Sequence, residues 1–346
     1  IQEMPAGSLY SNVLDLGRFL QVVFAGGAHE GRVVLKKESL EEMLRVQNRG
    51  IPLDLDMTVG LNWMVLDHKD MGTLIGHDGG LPTFYSTMSA LPGHKLGVVV
   101  LTNCEEGAMA VNLIGKEALE SLWEAKTGKK LPAPYTFKPE KKLTREEAAT
   151  YAGTYDTALG LMTVSPVSGT LLASASFGSF KLVPREDGVF SMKYLLAGFI
   201  PVTIDQEPFK TLGISFGDIS GYRAMIGHAG ENDRKRFLFG TKLQAPKVSE
   251  AWTRRLGRYE NRDSGEEGLT ITSVELKMSD GFLVADAVMK TTGENTLRFA
   301  LKPVNDTEAV VMGLGRNRGN TCSITRRDGT EYLRFMGNAF AGAQEK

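Results

Sequence analysis

The chain has 346 residues, enough for about two domains, or three small ones. Apolar residues make up 42% and charged residues 23%, so the chain can bury sizeable cores and lacks the composition of a disordered protein. Lys and Arg number 40 against 41 Asp and Glu, a formal charge of −1, which excludes the broad field that nucleic acid or an anionic membrane would need.

Two cysteines, Cys104 and Cys322, exclude a disulfide scaffold and a cysteine-built zinc site. No apolar run is long enough to span a bilayer. The chain opens Ile1-Gln2-Glu3-Met4-Pro5, with no initiator Met, basic segment or apolar stretch, and reads as the middle of a longer protein rather than a targeting sequence.

Ser11 or Asn12 can cap a helix in which Val13, Leu16, Leu20, Val23 and Phe24 recur at helical spacing, and Gly26-Gly27 stops it. Leu40, Met43 and Leu44 mark a second, shorter helix. Strands are predicted over Val59–Leu66 and Thr73–Gly76. Two more, Phe84–Ala90 and Leu96–Asn103, flank a turn at Pro92-Gly93-His94-Lys95. Gly107 to Lys126 is helical, with Val111, Ile114, Ala118 and Leu122 on one face. Residues 129–144, rich in Pro and Lys and without period, read as a linker closing a first domain at residue 128.

The rest is short strands and turns, with a faint repeat. Tyr151-Ala-Gly-Thr-Tyr155 pairs with Leu256-Gly-Arg-Tyr259, and Phe180-Lys-Leu-Val-Pro184 with Phe299-Ala-Leu-Lys-Pro303. Phe237-Leu-Phe-Gly240 pairs with Tyr332-Leu-Arg-Phe335. Two copies of many short strands predict two small antiparallel β-barrels or sandwiches, over residues 145–245 and 246–346. The fold class is therefore α+β.

The strongest chemical signal is Gly76-His77-Asp78-Gly79-Gly80, where glycines let a ligand or another backbone approach a polar pair on a strand. It belongs to an ordered series: Pro5-Ala-Gly-Ser-Leu-Tyr-Ser11, Asp15-Leu-Gly-Arg-Phe-Leu20, Gly60-Leu-Asn-Trp63, His77-Asp-Gly-Gly80 and Leu96-Gly-Val-Val-Val-Leu-Thr-Asn103. Over roughly residues 1–125 this series resembles the C-terminal half of the serine β-lactamase and penicillin-binding-protein-like hydrolases, in the branch of class C β-lactamases, esterases and D-aminopeptidases. His77-Asp78-Gly79 matches the His-x-Gly form of that family's third motif, which lies on the sheet edge beside the nucleophile.

The resemblance implies a serine acyl-enzyme mechanism on a D-amino-acid peptide or amide, a β-lactam or a small ester. His77 would orient the substrate or move a proton, and the backbone N–H of Gly80 would be one of two donors to the developing oxyanion. His77, Asp78, Gly79 and Gly80 would line the substrate, with the Asp78 side chain turned from the cleft because side chains alternate on a strand. The family's Ser-x-x-Lys is absent, since no serine here has lysine three residues on. Tyr10-Ser11-Asn12 spells the second motif in the wrong register and is set aside. The chain alone is thus expected to be catalytically silent. Its missing N-terminal half would be supplied in cis or in trans, or a homo-oligomer would cover the exposed sheet face. No metal or organic cofactor is implied, and the resemblance alone favours a periplasmic or secreted location.

Gly213-Ile-Ser215-Phe-Gly217 spells the nucleophile elbow of α/β-hydrolases, with Asp218 and His228 near in sequence. The elbow needs a helix after it, but strands and turns follow, so Ser215 reads as a strand serine. A hydrolase using Ser215 is a third reading. His29, His68 and His94 lack metal-ligand spacing and are expected at the surface, Trp63 in the core, and both cysteines buried or half-buried. Arg316-Asn-Arg318 and Arg326-Arg327 read as a solvated hairpin face. By resemblance, the tail adds lipocalin-like barrels, in which the glycine-rich segment Gly217–Asp233 could reach the catalytic mouth; the alternative for that segment is a plain surface hairpin. The alternative class is a non-catalytic lipocalin-like binding or scaffold protein with a remnant hydrolase half-domain, which would need barrels hollow enough to hold a ligand.

Overall fold

The computed structural model describes residues 7, 9–81, 83–104, 107–176, 178–196, 200–202, 210–262, 270–290, 294–315, 318–327 and 329–342. Most of the opening Ile1–Ser8, and Arg316, lie outside them. The chain divides into two compact units, one of Ile1–Thr136 with Ala229–Phe237, the other of Phe137–His228 with Leu238–Lys346.

In the first unit, Asn12 caps helix α1 (Val13–Phe24), its side-chain oxygen accepting the N–H groups of Leu14 and Asp15 at 3.0 Å each. Gly26 and Gly27 end it with φ of 70° and 101°. A small hairpin, β1 (Ala28–His29) and β2 (Arg32–Val33), and helix α2 (Lys37–Leu44) follow. The sheet is antiparallel, in the order β3 (Met64–His68), β4 (Gly72–Leu81), β5 (Phe84–Leu91), β6 (Leu96–Thr102). A 3₁₀ turn over Pro92–His94 joins the last two.

The strand expected over Val59–Leu66 begins only at Met64. Gly60 lies so close to the Met43 carbonyl that a Cβ would sit 2.1 Å from its oxygen, and the chain turns through Asn62 at φ 63°. The strand expected over Thr73–Gly76 runs on to Leu81 and absorbs the whole Gly-His-Asp-Gly-Gly run.

Helix α3 (Gly107–Thr127) closes this unit, but its buried stripe is Gly107, Val111, Gly115, Leu119 and Trp123. The expected face is thereby corrected, because Ile114 and Leu122 are exposed. The small residues decide the rotation: a Cβ on Gly115 would meet Thr87 Cγ2 at 2.8 Å, so only glycine lets the helix lie this close to the sheet. One sheet face packs Ile75, Ala90 and Trp63 against Leu20 and Val23 of α1 and Leu40 of α2. The other packs Leu91 and Met71 against Leu119 and Trp123. Val13, Leu14, Met109 and Leu113 stay exposed, and a groove of about 480 Å³ opens beside Leu20, Phe24, Gly97 and Leu122.

The second unit holds two barrels. The first comprises β7 (Gly153–Thr157), β8 (Gly160–Val167), β9 (Thr170–Ala175), β10 (Gly178–Pro184), β11 (Phe190–Leu196), β13 (Gly213–Ile219), β14 (Tyr222–Ala229) and β15 (Lys235–Lys242). Pairing of β10 with β11 and of β15 with β7 closes the ring, and short β12 (Ile200–Val202) hangs on β11. The second is an eight-stranded closed meander, β16 (Gly257–Asn261), β17 (Thr270–Ser279), β18 (Phe282–Lys290), β19 (Glu294–Pro303), β20 (Glu308–Val311), β21 (Thr321–Arg327), β22 (Thr330–Phe335) and β23 (Asn338–Gly342).

The repeat has a physical content. Each barrel is preceded by a short helix, α4 (Arg145–Tyr151) or α5 (Glu250–Thr253). The chain then enters the first strand through a glycine, Gly153 at φ 141° or Gly257 at φ 138°. Two residues on, a tyrosine hydroxyl donates back to a carbonyl four residues earlier, Tyr155 to Tyr151 and Tyr259 to Arg255, each at 2.8 Å.

Phe180 and Phe299 lie on the fourth strand of their barrels, as the second pair of repeats requires. The third pair is corrected: Phe237–Gly240 is on the eighth strand, whereas Tyr332–Phe335 is on the seventh, so the counterpart in strand order is Asn338–Gly342.

The second barrel is packed rather than hollow: Trp252, Phe299, Phe335, Phe340 and Cys322 are all buried in one cluster. Trp252 donates its indole N–H to Asn305 O at 2.8 Å, which seats the helix over the end where the β19–β20 turn lies. Asp156 of the first barrel and Arg318 of the segment between β20 and β21 meet at 2.6 Å, their side chains 2% and 8% exposed.

Candidate active site

Over Met64–His68, β3 pairs with the first half of β4, ending at Met64 opposite Gly76. Beyond that point β4 has β5 on one flank, from His77 opposite Met88 to Leu81 opposite Phe84, and among the described residues no strand on the other. His77, Asp78, Gly79 and Gly80 thus lie on a strand that is interior below and an edge above, and all four are exposed.

Alternation sends their side chains to opposite faces. His77 shares the face of Ile75 and Met88, which is the face of α1 and α2. Asp78 shares the face of Thr87, whose hydroxyl donates to Asp78 Oδ1 at 2.7 Å and whose methyl lies under Gly115 of α3. His77 Nδ1 stands 2.8 Å from the Asp78 carbonyl oxygen. A carbonyl only accepts, so Nδ1 carries the proton, and in the neutral ring Nε2 presents its lone pair. A Cβ on Gly79 would fall 2.4 Å from Ser86 Oγ, so a larger residue here would have to turn that hydroxyl aside. At Gly80 the nearest atoms are the Tyr85 ring at 3.4 Å, ordinary contact.

The nominated segment Gly217–Asp233 is mostly the β13–β14 hairpin. Its end, with the start of β15, belongs to the first unit. There Asp233 accepts the Lys69 N–H at 3.0 Å, Lys235 donates to Asp67 O at 2.6 Å, and Arg236 clasps Asp56 through Nε and Nη2 at 3.0 and 2.9 Å. Lys116 of α3 meets Glu231 at 3.0 Å. Lys69 and Asp67 flank the turn into Gly72, and from there to Gly80 is on the order of 27 Å of extended strand. The Arg236 guanidinium holds the Asp56 carboxyl below the usual range. Burial pushes Asp233 up, but Lys235 and the Lys69 N–H outweigh it and hold it low.

The other candidates separate. Gly213–Ile219 is one strand, so no elbow forms, and Asp218 pairs with Arg223 at 3.1 Å. The barrel does bring Ser215 Oγ to 2.8 Å from His228 Nε2, which sequence proximity alone did not predict. His68 and His94 are not simply solvated. The first accepts the N–H groups of Asp70 and Met71 at 3.2 Å each, and burial lowers its pKa. The second accepts the Trp123 indole N–H at 3.3 Å. Cys104 is exposed where burial or half-burial was expected, just past the end of β6, and Cys322 is buried. Among the described residues no three His, Cys, Asp or Glu side chains converge as a metal site, and no described helix is long and apolar enough to cross a membrane.

Residues 2–120 match the Beta-lactamase family, and that part of the chain is β-lactamase-like. No curated protein matches. Among solved structures, SurE aligns with 16% identity over 66% of this chain and 48% of its own, at a TM-score of 0.42. SurE with D-Leu gives 18%, 60%, 44% and 0.38 in the same order. The octameric penicillin-binding protein homologue from Pyrococcus abyssi gives 18%, 65%, 46% and 0.30. The chain spans less than half the length of each of these.

Proposed function

We propose that the first unit supplies one wall of the acylation cleft of a serine hydrolase acting on a D-amino-acid peptide or amide, a β-lactam or a small ester. The attacking serine and its lysine come from a Ser-x-x-Lys segment outside this sequence. The observation that carries the reading is the upper half of β4: a flank with no strand against it among the described residues, a glycine pair beside it, and an imidazole whose Nε2 is left as acceptor. In this reading Nε2 of His77 orients the substrate or takes a proton, and the Gly80 N–H donates to the oxyanion. Asp78, tied to Thr87 on the far face, fixes the strand.

Three expectations test it. Intact mass shows no adduct when the 346-residue chain alone meets a penicillin. Joined in cis or in trans to the segment bearing Ser-x-x-Lys, the protein hydrolyses a D-amino-acid nitroanilide, nitrocefin or a nitrophenyl ester. His77→Ala in that complete enzyme lowers kcat/KM about a hundredfold. A penicillin adduct on the chain alone at any residue other than Ser215, or full activity with His77→Ala, overturns the reading. The packed second barrel speaks against a hollow ligand carrier.

A further inference from the structure

Side chains alternate on β13, so Gly213, Ser215 and Gly217 share one face and Ile214 and Phe216 the other. Ile214 is fully buried, and Phe216 packs on the Tyr155 and Phe190 rings at 5.7 and 5.5 Å between centroids, so the Gly-Ser-Gly face is the outer one. The register sets His228 of β14 opposite Gly213, and directly opposed residues share a face. The imidazole therefore stands over a residue with no side chain and can lean along the strand to Ser215, where Oγ and Nε2 meet at 2.8 Å. On the other side Gly217 keeps the surface low; a Cβ built there would touch only Ile226 Cδ1, at 3.4 Å. Ser215 and His228 are both half-buried. The Gly-x-Ser-x-Gly spelling thus takes a different physical meaning on a strand: buried Gly213 makes room for the imidazole opposite it, and Gly217 keeps the other flank low beside a serine already paired with a base.

We propose that Ser215 and His228 form a second nucleophilic site, on the outer face of the first barrel, which accepts an acyl or phosphonyl group from an activated ester or a fluorophosphonate. With a fluorophosphonate, Ser215 Oγ bonds to phosphorus, the P–F bond breaks, fluoride leaves, and the hydroxyl proton passes to His228 Nε2. The site is independent of the cleft wall on β4 and needs neither Ser-x-x-Lys nor a partner segment.

The experiment treats the full chain with a fluorophosphonate probe and maps the adduct by peptide mass spectrometry. One adduct per chain, on Ser215, is expected. Ser215→Ala abolishes it, and His228→Asn slows it about a hundredfold. As His228→Asn could disturb the barrel, the wild-type chain is also labelled in urea, where the reaction should stop because the pair exists only in the fold. No adduct on Ser215 in the folded chain, an unchanged rate in His228→Asn, or equal labelling in urea would each overturn the proposal. An adduct of either reagent mapped to Ser215 bears on this site, and a penicillin adduct mapped to any other residue bears on the cleft reading, so the two fail separately.

Discussion

Tyr155 and Tyr259 do the same job at the start of each barrel, returning a hydroxyl to the end of the helix that precedes it. Tyr155→Phe and Tyr259→Phe should each cost about 1 kcal/mol, measured by urea unfolding, since each removes one hydroxyl-to-carbonyl bond from a part-buried site. Burial pushes the Tyr155 phenol up to about 12. Its ionisation, followed by ultraviolet absorbance, should therefore lag that of free tyrosine by some two pH units. The Gly-x-Tyr spelling was legible in the sequence because both residues act locally. Pairs that depend on strand register were not: the strands and turns read after Gly217 do not fix the register that opposes His228 to Gly213.

At the scale of elements, α3 shows how a pattern can mislead. Val111, Ile114, Ala118 and Leu122 satisfy helical periodicity, yet the glycines choose the face, because the sheet beneath carries Thr102 and Thr87 close to the helix axis. Gly115→Val should destabilise by about 1–3 kcal/mol through overpacking, and it should loosen the Thr87–Asp78 bond behind His77. The strand expected to stop at Gly76 runs on because its register with β5 continues through the glycines to Leu81 opposite Phe84, a pairing that the local spelling does not fix. The ion pairs and hydrogen bonds of Ala229–Phe237 within the first unit were not legible at all, since their partners lie more than a hundred residues away. These ion pairs give a pH signature. Arg236 holds Asp56 below its unfolded value, so the stability this pair adds is present above about pH 3.9 and is lost as pH falls through the lower folded value. The thermal midpoint of the wild type should drop more steeply than that of Asp56→Asn over that range, and parallel curves would refute the assignment.

For the whole molecule, β-lactamase-like architecture and a repeated β-rich tail could be read from ordered motifs, whereas closure of the barrels and the bond between them could not. Asp156 and Arg318 are 162 positions apart, and both are almost wholly buried. Burial outweighs the guanidinium and holds the Asp156 carboxyl above the usual range. Its contribution to stability is therefore greatest below about pH 3.9 and shrinks as pH rises through the folded value, the reverse of Asp56. Arg318→Met should cost about 3–5 kcal/mol by calorimetry, because it strands a buried carboxylate, and a further Asp156→Leu should restore most of that loss.

Each barrel also carries its own stopper at the front of its sequence: Trp252 of α5 sits in the core of the second, and Tyr151 of α4 packs on Phe190 and Phe216 of the first. The stretch between Lys242 and Ser249 is then the seam between two modules that each carry their own plug, so what joins one ring to the other is the side-chain contact across them, the buried Asp156–Arg318 pair and the cluster of Leu161 with Phe282, Val284 and Ala300.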